Sequence, residues 1–278
     1  MKTVISGNSD KGLEFFLEAI REDGIAIIKN GVSESAVREM LSFVKQFKYD
    51  ANEEEEIKKR GMRLNNYAEN IFNVATKRPD FLSYYTEGLV GGILKGCLND
   101  AYYTSIPSEL PNYILRNILA RSSKEAMPYH IDSLIPYVGE YVSVMQVSIF
   151  LEKSDVERGC TSVALGSHQS GKYAPQSGFE PTLVEAEPGD IAIWDSRLWH
   201  ATTSNVTNYT RWAMIGTFCR WYMKQGYDYP RALGQDVLES LSLANQIVMG
   251  CAASVPLNEF EKTEVKGGIE HLKKHSRD

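Results

Sequence analysis

His130 and Asp132, in Met127-Pro-Tyr-His-Ile-Asp132, stand two residues apart. On a strand, residues i and i+2 point to the same face. An imidazole and a carboxylate at that spacing could therefore meet one metal ion from one side. His200, which ends Ile191-Ala-Ile-Trp-Asp-Ser-Arg-Leu-Trp-His200, could add a third ligand from another strand. Two histidines and one carboxylate on one octahedral face leave positions open for other ligands, the donor set of non-heme Fe(II) oxygenases. Each piece alone has a plainer reading: an HxD pair is usually just hydrogen-bonded, and a lone His200 would be a satisfied core histidine. Among the five histidines, His271 and His275 fall in a polar tail where a surface role is the default, and His168 closes a loop, Leu165-Gly-Ser-His168.

Arg211 follows His200 by eleven residues, across a predicted turn at Asn205–Asn208. On a hairpin, that spacing would place Arg211 on the neighbouring strand, facing the same interior. A guanidinium beside the apolar run Trp212-Ala-Met-Ile215 is costly to bury without an anion. A dicarboxylate co-substrate could be that anion, held by bidentate hydrogen bonds to the planar fork. An Asp or Glu of the protein itself is the competing partner.

The elements that must position these groups are legible from periodicity. Leu13, Phe16, Leu17 and Ile20 predict a helix with one apolar face, broken at Asp23-Gly24. Ile25–Ile28 reads as a short strand. Val37, Met40, Leu41 and Val44 predict a second helix, capped by Ser33 or Ser35. The run Glu53–Glu56 with Lys58, Lys59 and Arg60 reads as a solvated loop or helix face. A third helix is predicted over 79–98, with Pro79 in its first turn. From about residue 112, β-branched and aromatic runs alternate with turn residues. The predicted strands are Tyr113–Leu119, Tyr141–Leu151, Thr182–Glu185, Ile191–Asp195 and Arg211–Tyr222, the pattern of an antiparallel sandwich or barrel. A closing helix is predicted over Ala232–Met249, followed by a charged, frayed tail after Glu259. The fold class is α+β with a β-sandwich core, read as one domain over 1–278: helix-rich to about 110, a core over about 111–225, and a C-terminal helix and tail.

Composition excludes several functions. The 278 residues carry 30 Lys+Arg against 36 Asp+Glu, a net charge of −6, which gives no general electrostatic reason to bind nucleic acid. No apolar stretch approaches the length of a membrane span, and no signal peptide is evident. Cys97, Cys160, Cys219 and Cys251 are scattered without CxxC spacing, which favours free thiols in a reducing, cytoplasmic compartment. Trp194, Trp199, Trp212 and Trp221 read as core packing rather than a substrate cage.

In order along the chain, His130-Ile-Asp132, Glu157-Arg-Gly-Cys-Thr161, Gly166-Ser-His168, Pro188-Gly-Asp190, His200 and Arg211 resemble the phytanoyl-CoA dioxygenase (PhyH-like) family of Fe(II)/2-oxoglutarate oxygenases. The opening helix and Asp23-Gly-Ile-Ala-Ile-Ile28 resemble that family's start. The resemblance implies a double-stranded β-helix, a cupin-like jelly roll with flanking helices. It implies that His130, Asp132 and His200 bind iron and that Arg211 binds the far carboxylate of 2-oxoglutarate. Thr161 is a second candidate contact for that co-substrate. Gln146 and Ser148 share a strand face, and with Thr202 they are candidates to line its pocket. Two departures stand out: Leu165 replaces a proline before Gly-Ser-His, and Ala126-Met-Pro-Tyr129 lacks the glutamine that many members carry before HxD. The retained Asp132 favours C–H oxidation over halogenation. The implied reaction oxidises an unactivated C–H bond of a small metabolite with O2, releasing succinate and CO2. Arg63, Asn65, Asn66 and Tyr67 occupy the position of the family's variable lid. The alternatives are a non-enzymatic metal-binding jelly roll and a cupin-type isomerase or hydrolase holding zinc or manganese.

Overall fold

The computed structural model describes residues 3–59, 70–133, 135–173, 178–255 and 258–260. The strands are Ser6–Gly7 (β1), Ile25–Ile28 (β2), Asn70–Ile71 (β3), Tyr113–Arg121 (β4), Met127–His130 (β5), Val144–Phe150 (β6), Thr161–Val163 (β7), Thr182–Val184 (β8), Ile191–Asp195 (β9), His200–Thr202 (β10) and Ala213–Arg220 (β11). Among the described residues they form a large sheet in the order β1-β2-β9-β6-β11-β4-β3 and a small sheet in the order β5-β10-β7-β8. Only β1 and β2 run parallel; the other named pairs are antiparallel. The result is an α+β jelly roll in which helices cover one face of the large sheet and the small sheet faces the other.

The helices are Leu13–Asp23 (α1), Glu34–Gln46 (α2), Ala51–Lys59 (α3), Val74–Lys77 (α4), Ser83–Thr86 (α5), Gly88–Leu98 (α6), Tyr229–Leu233 (α7), Gln235–Ser240 (α8) and Leu243–Val248 (α9). Of the two serines weighed, Ser33 caps α2, its hydroxyl accepting from the Ala36 N–H. α3 buries none of its side chains, so the charge run is a solvated helix face. Two predicted helices are broken. The 79–98 helix divides into a 3-10 turn over Pro79–Leu82, then α5, then α6, because Glu87 is extended and Gly88 has φ +56°. Gly91 is required at the start of α6: a Cβ there would lie 2.0 Å from the Thr86 carbonyl oxygen. The closing helix over 232–249 is instead α7, α8 and α9, separated by Gly234 (φ +74°) and by extended Leu241 and Ser242. No helix among the described residues is long and apolar enough to cross a membrane. The four cysteines are free.

Side-chain parity divides the large sheet cleanly. On β6, Met145, Val147 and Ile149 join Phe16, Met40 and Phe81 in the helix-facing core. Phe150, Ala192, Trp194, Ile25 and Ile27 instead meet Val163 and Val184 of the small sheet. That second core fills only the β2–β9–β6 side of the sandwich. On β11, inward Ala213, Ile215 and Thr217 stay part-exposed while outward Met214, Gly216 and Phe218 are buried. Asn117, Leu119 and Arg121, their register partners on β4, are part-exposed as well. The sandwich is therefore packed on one half and hollow on the other.

The Gly-Ser-His segment ties the helix layer to the small sheet. Gly24 ends α1 at φ +83°, and a Cβ there would lie 2.6 Å from His168 Nδ1 and 2.9 Å from Leu198 Cδ1. His168 Nε2 donates to the Arg21 carbonyl at 3.1 Å, and the Gly166 N–H to Asp23 O at 2.9 Å. Gly24→Ala is expected to destabilise the fold by at least about 1 kcal/mol from the left-handed backbone alone, with the collision adding to it, read as a fall in melting temperature. Burial holds the His168 imidazole below the ordinary histidine value of 6.5. The unfolded chain then binds more protons, so stability contributed by His168 is present at neutral pH and lost as pH falls below about 6.5. His168→Gln is expected to flatten that part of the stability curve relative to wild type, measured by urea unfolding at several pH values.

Candidate metal centre

His130 ends β5 and His200 begins β10, and the two are direct Cα partners across the antiparallel pair. Opposed residues on such a pair share a face, which brings the ring centroids to 4.2 Å. The backbone fixes both tautomers. His130 Nδ1 lies 2.9 Å from the Pro128 carbonyl and His200 Nδ1 3.0 Å from the Leu198 carbonyl. A carbonyl can only accept, so each Nδ1 carries its proton and each Nε2 keeps its lone pair.

Asp132 reaches the same point by a different route from the one its spacing suggests. β5 stops at His130, and Asp132 lies in the loop beyond, so shared strand parity does not place it. Its N–H donates to the Ser196 carbonyl at 2.8 Å, and the Ser133 N–H to the same oxygen at 3.1 Å. Ser196 sits in a turn clamped by the buried Asp195–Arg197 pair, with Nε–Oδ1 at 3.0 Å and Nη2–Oδ2 at 2.7 Å. Arg197 Nη1 also donates to the Gly139 carbonyl at 2.7 Å. Nothing in the spacing of the sequence pointed to this pair; its only trace is two opposite charges inside an otherwise apolar run.

The Asp132 carboxylate faces both imidazoles, with Oδ1 3.5 Å from His130 Nε2 and Oδ2 3.4 Å from His200 Nε2. Ligand atoms of the three residues lie within 4.8 Å of one another, a group that could hold a metal ion. Two lone pairs and a carboxylate turned inward repel unless a cation or a proton lies among them. The hydrogen bond to Asp132 raises the His130 pKa above its ordinary value, against the effect of burial. Burial lowers that of His200, the Asp132 charge opposing it. Burial pushes Asp132 upward, but the His130 hydrogen bond, the His200 and His130 charges and Gln146 together hold it below the usual carboxylate range.

The other candidates spread over both sheets. Gln146 and Ser148 point inward from β6, both nearly fully buried. Thr202 lies two residues past His200, and Thr161 is its direct partner on β7. Thr202 Oγ1 and Trp194 Nε1 are buried without a hydrogen-bond partner among the described residues. Trp194 belongs to the packed core, yet its ring lies 5.7 Å from that of His200 and its N–H is unspent.

Arg211 is not on a hairpin with His200. β10 belongs to the small sheet and β11 to the large one, and residues 203–212 cross between them. The crossing is tied at several points: Thr203 N–H to Cys160 O, Val206 N–H to Glu157 O and Asn205 N–H to Lys124 O. Gly159 permits it, because a Cβ would lie 2.5 Å from the Thr203 carbonyl oxygen. Arg211 ends just before β11, in phase with inward Ala213, Ile215 and Thr217. Its N–H donates to Ser122 Oγ and its Nε to the Ser123 carbonyl, both at 3.0 Å. Its charge is felt at the Cys160 thiol, beside Thr161. Arg121, which the sequence reading passed over, projects into the hollow from β4. Arg63, Asn65, Asn66 and Tyr67, with His271 and His275, lie outside the described residues.

Mn(II) is a redox-silent probe of the centre. One equivalent is expected to bind, and Ala at His130, Asp132 or His200 to weaken binding by about 100-fold or more, by calorimetry. Because the His130 pKa is raised by its hydrogen bond to Asp132, protons compete with the metal, so affinity is expected to fall as pH drops. Equal affinity in all three variants would contradict a shared site.

Comparisons with known proteins agree with this architecture. The chain is 23% identical over 261 residues to the iron/alpha-ketoglutarate-dependent dioxygenase ausU of Aspergillus calidoustus, covering 87% of this chain and 82% of the other. It is 28% identical over 130 residues to dioxygenase af480 of Aspergillus fumigatus, covering 45% and 42%. It is 28% identical over 120 residues to the uncharacterized protein Rv1501 of Mycobacterium tuberculosis, covering 42% and 44%. The matches to the first curated relatives thus span less than half of their length. Among solved structures, the epimerase SnoN in complex with Fe3+, alpha ketoglutarate and nogalamycin RO superposes with a TM-score of 0.55 at 15% identity, covering 77% of this chain and 85% of the other. The alpha-ketoglutarate-dependent carbocyclase SnoK gives 0.56 at 16%, covering 80% and 89%. The family model of phytanoyl-CoA dioxygenase (PhyH) matches residues 20–213, and the chain belongs to that family.

Proposed function

We propose that this protein is an Fe(II)- and 2-oxoglutarate-dependent dioxygenase that oxidises an unactivated C–H bond of a small metabolite or natural-product intermediate. The observation that carries the reading is the convergence of two Nε2 lone pairs and one carboxylate at the edge of a hollow whose wall includes a guanidinium. Two imidazoles and a carboxylate suit ferrous iron and leave room for further ligands. When bound, the iron supplies O2 activation coupled to oxidative decarboxylation of 2-oxoglutarate to succinate and CO2.

The chain's own residues supply position and surroundings. His130, Asp132 and His200 present their donor atoms from one side. Arg211 receives the far carboxylate of 2-oxoglutarate through its planar fork. Thr202, whose hydroxyl lacks a partner among the described residues, and Thr161 opposite it offer hydrogen bonds at the same end. Ser148 faces them from the large sheet. Leu119 and Ile215 form an apolar row of that wall, between the row of Asn117 and Thr217 and that of Arg121, which limits water at the reacting centre. No protein acid or base is required. SnoN and SnoK are described as a non-heme alpha-ketoglutarate-dependent epimerase and carbocyclase, and hydroxylation is the outcome proposed here. The four free thiols support a reducing, cytoplasmic setting, and residues 1–278 are proposed to act as one oxygenase unit.

The test is succinate formation under O2 with a panel of small metabolites. Wild type is expected to convert 2-oxoglutarate to succinate, faster with the right substrate. Arg211→Ala is expected to raise the KM for 2-oxoglutarate by about 10- to 100-fold, the loss of a charge-assisted hydrogen bond, with Arg211→Lys between the two. An unchanged 2-oxoglutarate dependence in Arg211→Ala would remove its assigned role. A metal-loaded protein that makes no succinate with any compound would favour a binding protein.

A further inference from the structure

The turn that joins β9 to β10 is built around a buried ion pair. Asp195 ends β9 in the large sheet, and His200 opens β10 in the small one. Arg197 donates Nε to Asp195 Oδ1 at 3.0 Å and Nη2 to Asp195 Oδ2 at 2.7 Å. Both side chains are almost wholly enclosed, Arg197 at 3% exposure and Asp195 at 1%. Stability alone gives little reason for such a pair, because apolar residues of like volume serve a core as well or better.

We propose that Arg197 is a positioning residue for the ligand Asp132, acting through the Asp195 carboxylate and the peptide plane between Ser196 and Arg197. The inference rests on the metal-centre reading above. Each step is a hydrogen bond. The bidentate fork of Arg197 fixes the direction of the Asp195 carboxylate. Oδ1 of that carboxylate also accepts the backbone N–H of Arg197 at 2.9 Å, an Asx turn. That N–H and the Ser196 carbonyl are opposite edges of one rigid peptide plane. The Ser196 carbonyl in turn accepts from the Asp132 N–H at 2.8 Å and from the Ser133 N–H at 3.1 Å. Asp195 therefore aims the carbonyl from which Asp132 hangs, and Arg197 aims Asp195.

Asp132 depends on this route because it lies beyond the end of β5, where strand pairing no longer sets its place. The same guanidinium also holds the segment that follows it. Arg197 Nη1 donates to the Gly139 carbonyl at 2.7 Å, and the guanidinium lies over the Tyr137 ring, 4.3 Å from its centroid. One side chain thus ties the end of β9 to both sides of the Asp132 loop. A metal site needs its donors held to within about 0.5 Å, and a carboxylate on an unpaired loop meets that demand only if the loop is fixed from outside. Arg197 acts through a carboxylate and a peptide plane rather than on the metal itself.

The experiment measures Co(II) affinity, the visible Co(II) spectrum and the melting temperature of the whole chain without oxygen. Arg197→Met removes the fork and leaves Asp195 buried without its cation. It is expected to weaken Co(II) binding about 10-fold, to alter the spectrum and to lower the melting temperature. Asp195→Val combined with Arg197→Met removes both charges. This pair variant is expected to regain the melting temperature while its affinity stays about 10-fold down and its spectrum stays altered. It also keeps the test valid should Arg197→Met alone fold poorly. Wild-type affinity and spectrum in either variant would overturn the proposal; their return in the pair variant together with stability would show that the ion pair serves the fold alone. A wild-type protein that takes up no Co(II), or an Asp132→Ala variant that binds as tightly as wild type, would overturn the metal-centre reading and this inference with it.

Discussion

Two imidazoles commit their Nδ1 protons to backbone carbonyls and turn their remaining lone pairs on one carboxylate. Such a cluster is repulsive among its heavy atoms and becomes favourable only around positive charge. The surrounding structure prevents it from relaxing. His130 and His200 are held by strand pairing, and a rotation of either ring would break its bond to Pro128 or Leu198. Asp132 is pinned through its N–H to Ser196. The cost of assembling like groups is thus spread over backbone hydrogen bonds that the fold makes in any case.

The segments that carry the family resemblance serve this assembly more than they serve chemistry. The Ser167 hydroxyl accepts from the Trp199 N–H at 2.9 Å, one residue before His200. Asp190, nearly fully buried, accepts from Asn30 N–H and Glu187 N–H and pairs with Lys29 at 2.5 Å, fixing the turn that leads into β9. Gly159 lets the 203–206 segment cross close to β7. Each of these holds one end of a strand that carries a ligand or an inward polar group. The sandwich gains its rigidity on the β2–β9 side, where Trp194, Phe150, Val163 and Val184 fill the space. That packed half allows the other half to stay hollow.

Much of this was legible in the sequence, for identifiable reasons. Alternation and 3.6-residue periodicity report burial directly, so β2, β6, β9 and β11 were found, and α1 and α2 with them. The three residues that converge, His130, Asp132 and His200, were picked out because histidines are few. Three things were hidden. The eleven-residue gap between His200 and Arg211 is compatible with a hairpin, but it cannot show that the chain changes sheets. Parity still left Arg211 facing inward, for a different reason from the one the spacing offered. The breaks at Glu87-Gly88 and at Gly234 depend on how short helices pack against β4 and β11, which periodicity averages away. The third is the support around Asp132: Asp195 and Arg197 act on it through the Ser196 carbonyl, and residue type alone carries no sign of that.

The most direct test of the central claim is the visible absorption spectrum of the protein mixed with Fe(II) and 2-oxoglutarate in the absence of oxygen. If the three ligands hold iron with open positions beside Arg211, a charge-transfer band should appear only when metal and co-substrate are both present. It should be missing when either is withheld and when Asp132 is replaced by alanine. A colourless mixture at concentrations where the metal is demonstrably bound, or a band that survives the loss of Asp132, would contradict the account.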